Sequence, residues 1–354
     1  MAESAPNPSA SSPSSIARAV TTAALFLCAC CLLLSGWLAV YALSPGPGSA
    51  DKSAIVTIAR GTPLREMSKV LSGAGLAEED IRFAVVARIL GYSGRIRAGE
   101  FELATGMTPL QLLRQLVTAR PVQHAVTIPE GLRLDEIGRI FAQGKWCDAK
   151  RFRHLAHEKA FLTAIGFGGL DSLEGYLFPD TYYLTRDVKG AEELITMMTR
   201  RFREVWAQLA PSPAEQKKQH EVVTLASIVE KETGRGEERP VIAGVFANRL
   251  KIGMRLQSDP TVIYGIDDFS GNITRKHLQT PSRYNTYTLS GLPAGPISNP
   301  GRSALEAALH PAVTDYLYFV GRNDGTHQFS RTLEEHTRAV LKYQRKKPEK
   351  NGKG

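Results

Sequence analysis

The sequence predicts an α+β protein with an N-terminal transmembrane helix, a region of small α/β units, and a mixed α+β domain with a β-hairpin. Three observations support this order. An uncharged stretch runs from Ala19 to Leu43, a short motif occurs twice, and helical and alternating apolar patterns fill the second half. The 354 residues, of which 43% are hydrophobic, are enough for two or three domains at about 100–200 residues each.

The uncharged stretch has the length of a membrane span. As a helix, its 25 residues reach roughly 37 Å, which exceeds the roughly 30 Å of bilayer hydrocarbon. Trp37 and Tyr41 lie near its end, where interfacial aromatic residues are common. We predict an uncleaved anchor; a cleaved signal peptide or a lipoprotein signal are the alternatives. The predicted segments are a disordered cytoplasmic leader (1–17), the span (18–43) and a Gly/Pro-rich linker (44–51).

An internal repeat follows the linker. Residues from Val56 to Met67 align with those from Val126 to Ile137 at an offset of 70, and Val, Thr, Ile, Gly, Leu and Glu recur in place. Each copy is predicted to form a strand, a glycine turn and a helix. This pattern resembles the LysM module, which binds wall glycans, so we predict a LysM-like α+β region over 52–150. Structural spacers without a ligand are the alternative.

The patterns between and after the copies complete the predicted elements. Residues 96–103 alternate as a strand does, and Thr108 precedes a helix with leucines on one face. Residues 173–182 are aromatic, contain a proline and do not fit an ordinary helix. Residues 315–329 predict a β-hairpin that turns at Asp324-Gly325.

A carboxylate occupies an apolar position on a helix predicted over Glu221–Thr233. Glu232 follows Ile228 and Val229 at spacings of four and three residues, so these side chains share one face, whereas Glu230 points elsewhere. A carboxyl turned toward a core loses hydration, which raises its pKa and suits it to donate a proton near neutral pH. The alternatives are that Glu232 pairs with a buried arginine or lies on a solvated helix end.

Two polar segments accompany this helix. Met254–Gly265 mixes polar side chains with a proline, and Tyr284–Gly301 is a long loop rich in Gly and Pro. Long ordered loops are often functional, and aromatic rings with amide and hydroxyl groups suit a sugar. A structural loop is the alternative. The candidate substrate-binding residues are Gln257, Ser258, Asp259, Tyr284, Asn285 and Tyr287.

Other chemistries find no support in the sequence. It contains no His/Cys cluster at metal spacing, no HExxH, no phosphate-binding loop and no GxSxG motif. We therefore expect no metal and no cofactor. The net charge is +9, but the predicted basic tail (342–354) supplies five of these charges. The charge therefore does not indicate a nucleic-acid partner.

Several motifs together resemble the MltG (YceG-like) family of endolytic murein transglycosylases. The matching blocks are Ile128–Gly131, 173–183, 226–233, 245–265, 284–301 and the hairpin, within residues 50–345. The resemblance implies a single-pass protein of the bacterial inner membrane with an extracytoplasmic catalytic domain (151–341). Its implied partners are the glycan strands of nascent peptidoglycan and peptidoglycan synthases of the elongation or division machinery.

The resemblance also implies a mechanism. The family's catalytic glutamate corresponds to Glu232, which acts as acid and then as base. It cleaves the β-1,4 bond between N-acetylmuramic acid and N-acetylglucosamine and leaves a 1,6-anhydromuramic end. Two other functions stay open. A muramidase would use Asp259 as a second carboxylate about 5–10 Å away, and a non-catalytic scaffold would only bind the wall.

Overall fold

The computed structural model describes residues 15–267 and 269–344, with side chains from residue 18 onward. By backbone contacts the chain divides into two compact units, each with its own hydrophobic core. The first unit extends to Gln123 and includes Thr185–Asp187, and the second contains the rest. The predicted leader (1–17) and basic tail (342–354) lie outside the described residues except where they adjoin the first and last helices.

From residue 15 onward, where the structure describes it, the first unit contains four helices and two strands. The antiparallel strands place Val56 opposite Phe101, and both side chains enter the core. The helix predicted after Thr108 is present because the Thr108 hydroxyl and the Gln111 side chain cap each other's backbone N–H groups. The elements are α1 (Ser15–Leu43), β1 (Ser53–Ile58), α2 (Leu64–Gly73), α3 (Ile81–Ile89), β2 (Gly99–Ala104) and α4 (Pro109–Thr118).

One helix of the described residues is long and apolar enough to cross a membrane. It spans Arg18–Leu43 with a mean hydropathy of 2.4, which fits a membrane anchor or a signal sequence. The segment predicted as a linker, 44–51, is bonded to the first unit. The Gly46 N–H donates to the Met107 carbonyl at 3.1 Å, and the Gly48 N–H donates to the Thr105 carbonyl at 3.3 Å.

The second unit surrounds one helix, α10 (Gln219–Glu232), whose residues 222–229 are buried. This helix packs against α11 (Arg239–Lys251) and α14 (Arg302–Leu309). The order of elements begins with β3 (His124–Thr127), α5 (Leu134–Gln143), α6 (Ala149–Leu155), α7 (Lys159–Ala164), β4 (Thr181–Leu184), α8 (Ala191–Leu209) and α9 (Pro213–Lys217). It continues with α10 (Gln219–Glu232), α11 (Arg239–Lys251), α12 (Asp259–Tyr264), α13 (Arg275–Gln279), α14 (Arg302–Leu309), β5 (Tyr318–Gly321), β6 (His327–Ser330) and α15 (Leu333–Tyr343).

The structure confirms the strand, glycine turn and helix of each repeat copy. The turn glycines, Gly61 and Gly131, have φ angles of +85° and +76°, a region that a β-carbon disfavours. The predicted LysM-like region (52–150) nevertheless differs from the division that the structure shows. The chain divides after Gln123 because the second copy buries its apolar side chains, Ile137 among them, in the core of the second unit.

Other predicted elements are present with small differences. The hairpin is confirmed as the antiparallel pair of β5 and β6. Residues 173–180 contain no helix, and β4 follows them. The helix predicted to reach Thr233 ends at Glu232, because Thr233 adopts an extended conformation with φ −146° and ψ 138°. The carboxylate of interest therefore lies at the point where the helix gives way to a loop.

Candidate active site

Glu232 is the last residue of α10, and its side chain is half-buried. Loss of hydration raises the pKa of Glu232 above its ordinary value, and the nearby Asp259 carboxylate adds to the increase. The Ser258 hydroxyl opposes this rise. The helix end also favours the neutral form, because a helix carries partial negative charge at its C-terminus. The position therefore favours a carboxyl that keeps its proton.

Ser258 contacts Glu232 directly. Its hydroxyl donates to Glu232 Oε1 at 2.5 Å, and the serine is buried immediately before α12. The loop that contains Thr286 fixes this position. The Thr286 hydroxyl accepts from the Ser258 N–H at 3.0 Å, and the Thr286 carbonyl accepts from the Gln257 N–H at 3.2 Å. The two polar segments predicted from sequence thus meet at Glu232.

Asp259 lies beside this contact and is exposed. The Tyr287 hydroxyl donates to Asp259 Oδ1 at 2.6 Å, and burial together with this carboxylate raises the pKa of Tyr287. Gln257 is exposed and has a φ angle of +50°. Asp259, Tyr287 and Gln257 therefore form an accessible border next to the buried serine.

Two other candidates have different surroundings. Asn285 is 1% exposed, and its amide N–H group faces backbone carbonyls around the end of α13, the closest being that of Thr280 at 2.7 Å. Its side-chain oxygen accepts from the Tyr287 N–H at 2.9 Å. Asn285 therefore holds the loop together, in contrast to the predicted contact with substrate. Tyr284 packs edge-on against Tyr264 with ring centroids 4.7 Å apart.

The buried arginine considered as a partner for Glu232 pairs instead with Glu230. Arg239 Nη2 lies 2.7 Å from Glu230 Oε1, and both side chains are buried. The Gly301 N–H donates to the other Glu230 oxygen at 2.9 Å. Within the described parts of the chain, no Lys, Arg or His nitrogen lies within 4.0 Å of a Glu232 oxygen. Glu230 and Glu232 thus differ, because Glu230 is neutralised by a cation and Glu232 is not.

Residues from distant parts of the chain complete the site, and the sequence did not single them out. His327 at the start of β6 binds Glu238 through its backbone N–H at 2.9 Å and its ring Nδ1 at 2.6 Å. The hydroxyl of Thr233, the residue after Glu232, donates to the carboxylate of Glu238 at 3.5 Å. Arg249 is buried and donates to the Leu317 carbonyl at 2.7 Å. Both His327 and Arg249 lower the pKa of Glu232.

A second buried carboxyl, Glu174, also escaped prediction. It accepts from the Leu134 N–H at 3.1 Å, from Asn299 Nδ2 at 2.8 Å and from the Tyr264 hydroxyl at 3.2 Å. Burial raises the pKa of Glu174 to about 7. The motif around Glu174 was visible in the sequence, but its partners lie 40 to 125 positions away. Among the residues that the structure describes, no group of three His, Cys, Asp or Glu side chains is placed to hold a metal ion.

The fold and the site define an α+β protein whose candidate reactive group is a single unpaired carboxyl at the end of a buried helix. The model of the YceG-like family matches residues 56–342. The chain therefore belongs to the YceG-like family.

Individual proteins are also similar to this chain over most of its length. The chain is 32% identical over 327 residues to a Bacillus subtilis protein named endolytic murein transglycosylase, covering 87% of this chain and 89% of the relative. A Streptococcus pneumoniae protein of the same name is 28% identical over 332 residues, which cover 85% of this chain and 60% of that protein. A YceG-like protein of Listeria monocytogenes has a similar crystal structure: TM-score 0.56, 32% identity, 81% of this chain and 99% of that chain covered.

Proposed function

We propose that this protein is a membrane-anchored endolytic lytic transglycosylase of peptidoglycan, with Glu232 as its acid and base. The observation that carries the proposal is the state of Glu232: a half-buried carboxyl with a raised pKa, one serine hydrogen bond and no ion pair. The names of the relatives supply the reaction and substrate class.

The proposed reaction uses one carboxyl twice. Protonated Glu232 gives its proton to the glycosidic oxygen between N-acetylmuramic acid and N-acetylglucosamine, and the bond breaks through an oxocarbenium-like state. The carboxylate then takes the proton from the C6 hydroxyl of the muramic residue, whose oxygen bonds to C1 and forms the 1,6-anhydro ring. The proton returns to Glu232, so no water is consumed. The Ser258 hydroxyl stabilises the carboxylate between the two steps.

We assign the contacts with substrate to the accessible border of the site. Gln257, Asp259 and Tyr287 bind sugar hydroxyl and amide groups, and Tyr284 offers part of its ring face. Ser258 and Asn285 support the site from behind, because both side chains are almost fully buried.

The anchor is part of the proposal. Tyr41 and Ala42, at the end of α1, are buried in the core of the first unit, and residues 46 and 48 are bonded to it. Removal of α1 as a signal peptide would open that core. We infer a single-pass inner-membrane protein with its catalytic unit outside the cytoplasm, where it meets nascent glycan strands and their synthases. We propose that the first unit, in which β1, α2, α3 and β2 follow one another, serves as a LysM-like spacer after the anchor.

The decisive experiment compares Glu232→Gln with Glu237→Gln, an exposed carboxylate nearby. Purified full-length protein is incubated with nascent peptidoglycan, and the products are analysed by mass spectrometry. We expect 1,6-anhydro ends from the wild type and from Glu237→Gln, and none from Glu232→Gln, with thermal unfolding unchanged. Reducing ends, which carry one more water, would establish the muramidase instead. Cleavage by Glu232→Gln would exclude Glu232 as the acid and base. A wild-type protein that binds peptidoglycan and releases no product would leave only the scaffold.

A pair of variants tests the acid role of Glu232 through the pH profile. Activity should fall on the alkaline side as Glu232 loses its proton. Ser258→Ala removes a hydroxyl that lowers the pKa of Glu232, so the alkaline limb should move to higher pH. Asp259→Asn removes a charge that raises this pKa, so the limb should move to lower pH. Identical limbs in all three proteins would contradict the role of Glu232 as the acid.

A further inference from the structure

The outward face of α3 is unusually apolar for a helix on the surface of the first unit. Ile81 is 73% exposed and Ile89 is 69% exposed, with half-buried Val85 between them. At spacings of four residues these side chains form one stripe along the helix. The opposite side of α3 is also apolar, since Phe83 and Ala87 belong to the core. Arg82 and Arg88 are the polar side chains of α3, and Arg88 lies on the exposed side near Ile81. A helix with apolar residues on two opposite sides normally has a partner on each.

The same helix is joined to the membrane-spanning helix. α3 and α4 both pack against α1. The Arg82 guanidinium lies 4.8 Å from the ring centre of Trp37 and 4.3 Å from that of Tyr41. Asp80, which caps α3, holds this guanidinium through an ion pair. Trp37 lies about 9 Å before the end of α1 at Leu43, so the start of α3 lies level with the last turns of the span.

The charges on α3 and on the residues after it, up to Gly99, are all positive. Residues 81–99 contain four arginines and neither Asp nor Glu. Glu78 and Glu79 precede α3 and are exposed. They repel an anionic lipid surface only near the first turn of α3. Apolar side chains flanked by arginine are typical of helices that lie in the interface of a membrane with anionic lipids.

We propose that the apolar stripe of α3 (Ile81, Val85, Ile89) lies in the headgroup region of the bilayer that α1 crosses, with the exposed Arg88, Arg95 and Arg97 facing anionic lipid. The bilayer is the occupant of this face because α3 packs directly against the membrane-spanning helix α1. The segment 44–51 after α1 is hydrogen-bonded to the first unit, so it does not act as a flexible linker that would let the unit move away from the membrane. The first unit is therefore seated on the membrane. This inference rests on the anchor in the proposed function.

The test places a fluorophore on the stripe in the full chain. Cys28, Cys30, Cys31 and Cys147 are replaced by alanine, and an NBD label is attached at Ile89→Cys. Ile252→Cys, in the second unit and also highly exposed, is the matched reference. The proteins are reconstituted into vesicles of phosphatidylglycerol and phosphatidylethanolamine. Nitroxide lipids report contact with the bilayer, and aqueous iodide reports contact with water.

We expect lipid nitroxides to quench the label at position 89 about threefold more than the label at position 252, with the reverse order for iodide. A label at position 89 that iodide quenches freely overturns the inference. A label shielded from both quenchers, with a disulfide-linked dimer through position 89, assigns the face to a second copy and also overturns it. Flotation with the vesicles is measured first. If the chain does not float, the proposal that α1 anchors the protein is contradicted. If the chain floats but the label at position 89 is exposed to water, only the proposal that α3 contacts the bilayer is contradicted.

Discussion

The two copies of the internal repeat share a local structure but differ in what their turns contact. At Gly61, in the first unit, no atom lies within 4 Å of the place where a β-carbon would stand. At Gly131, in the second unit, Glu230 of α10 lies 3.4 Å from that place. The Gly131 N–H donates to the Asn299 carbonyl at 2.9 Å, and Lys231 donates to the Gly131 carbonyl at 3.2 Å.

The helices that follow the two turns differ in the same way. In the first copy, α2 begins after Pro63 without a side-chain cap. In the second copy, the first N–H of α5 is held by the buried carboxyl of Glu174, which Asn299 also contacts. The same local sequence thus forms a self-contained unit once and a support for α10 the second time. The difference comes from the chain that surrounds each copy.

The largest expected effect comes from the ion pair that joins the second copy to α10. Arg239→Ala leaves the Glu230 carboxylate buried without a cation, and Arg239 also contacts Glu130 of the second turn at 3.3 Å. We expect a loss of about 3–5 kcal/mol in the free energy of unfolding, measured by denaturant unfolding.

The matched variant in the first copy is Arg60→Ala, because Arg60 occupies the position equivalent to Glu130. Arg60 is 58% exposed and pairs with Asp187 at 3.0 Å, so its loss should cost less than about 1 kcal/mol. Similar costs for both variants would show that the second copy is no more tightly joined than the first.

A pH-dependent effect should come from Glu174. Its pKa is raised to about 7 in the folded protein from a reference value of 4.5. Below pH 4.5 the carboxyl is neutral in both states and costs nothing. As pH rises toward 7, only the unfolded chain ionises, so the free energy of unfolding should fall by about 3 kcal/mol in total and then stay level. Unfolding measured from pH 4 to pH 8 should show this fall, and Glu174→Gln should remove it. An equal fall in both proteins would assign it to other groups.

Local patterns predicted the elements of the fold well. The spacing around Val56 and Val126 predicted both strand–turn–helix copies, and the Asp-Gly turn predicted the hairpin, because these structures depend on neighbours in sequence. The boundary after residue 150 differed from the division after Gln123 because a repeat carries no local sign of which core will bury it.

The site was predictable only in part, for the same physical reason. Helical periodicity predicted that Glu232 faces the core and Glu230 another side, but the Glu230 side chain is also buried, 5% exposed, against Arg239. The residues that set its surroundings are paired across long distances: His327 with Glu238 across 89 positions, and Arg249 with Leu317 across 68. Asn285 was predicted as a substrate contact from its residue type, but its burial depends on how the loop folds over α13.

The smallest effect concerns the two turn glycines and separates stability from activity. Gly61→Ala and Gly131→Ala each place a β-carbon at a positive φ, so each should cost about 1–2 kcal/mol of folding free energy. Only Gly131→Ala should also slow glycan cleavage, because the backbone of that turn is bonded to Lys231, next to Glu232. The measurements are thermal unfolding and the rate of appearance of anhydro ends. Equal loss of rate in both variants would mean that the second copy has no special connection to α10, and that the difference between the turns has no consequence for the rate of cleavage.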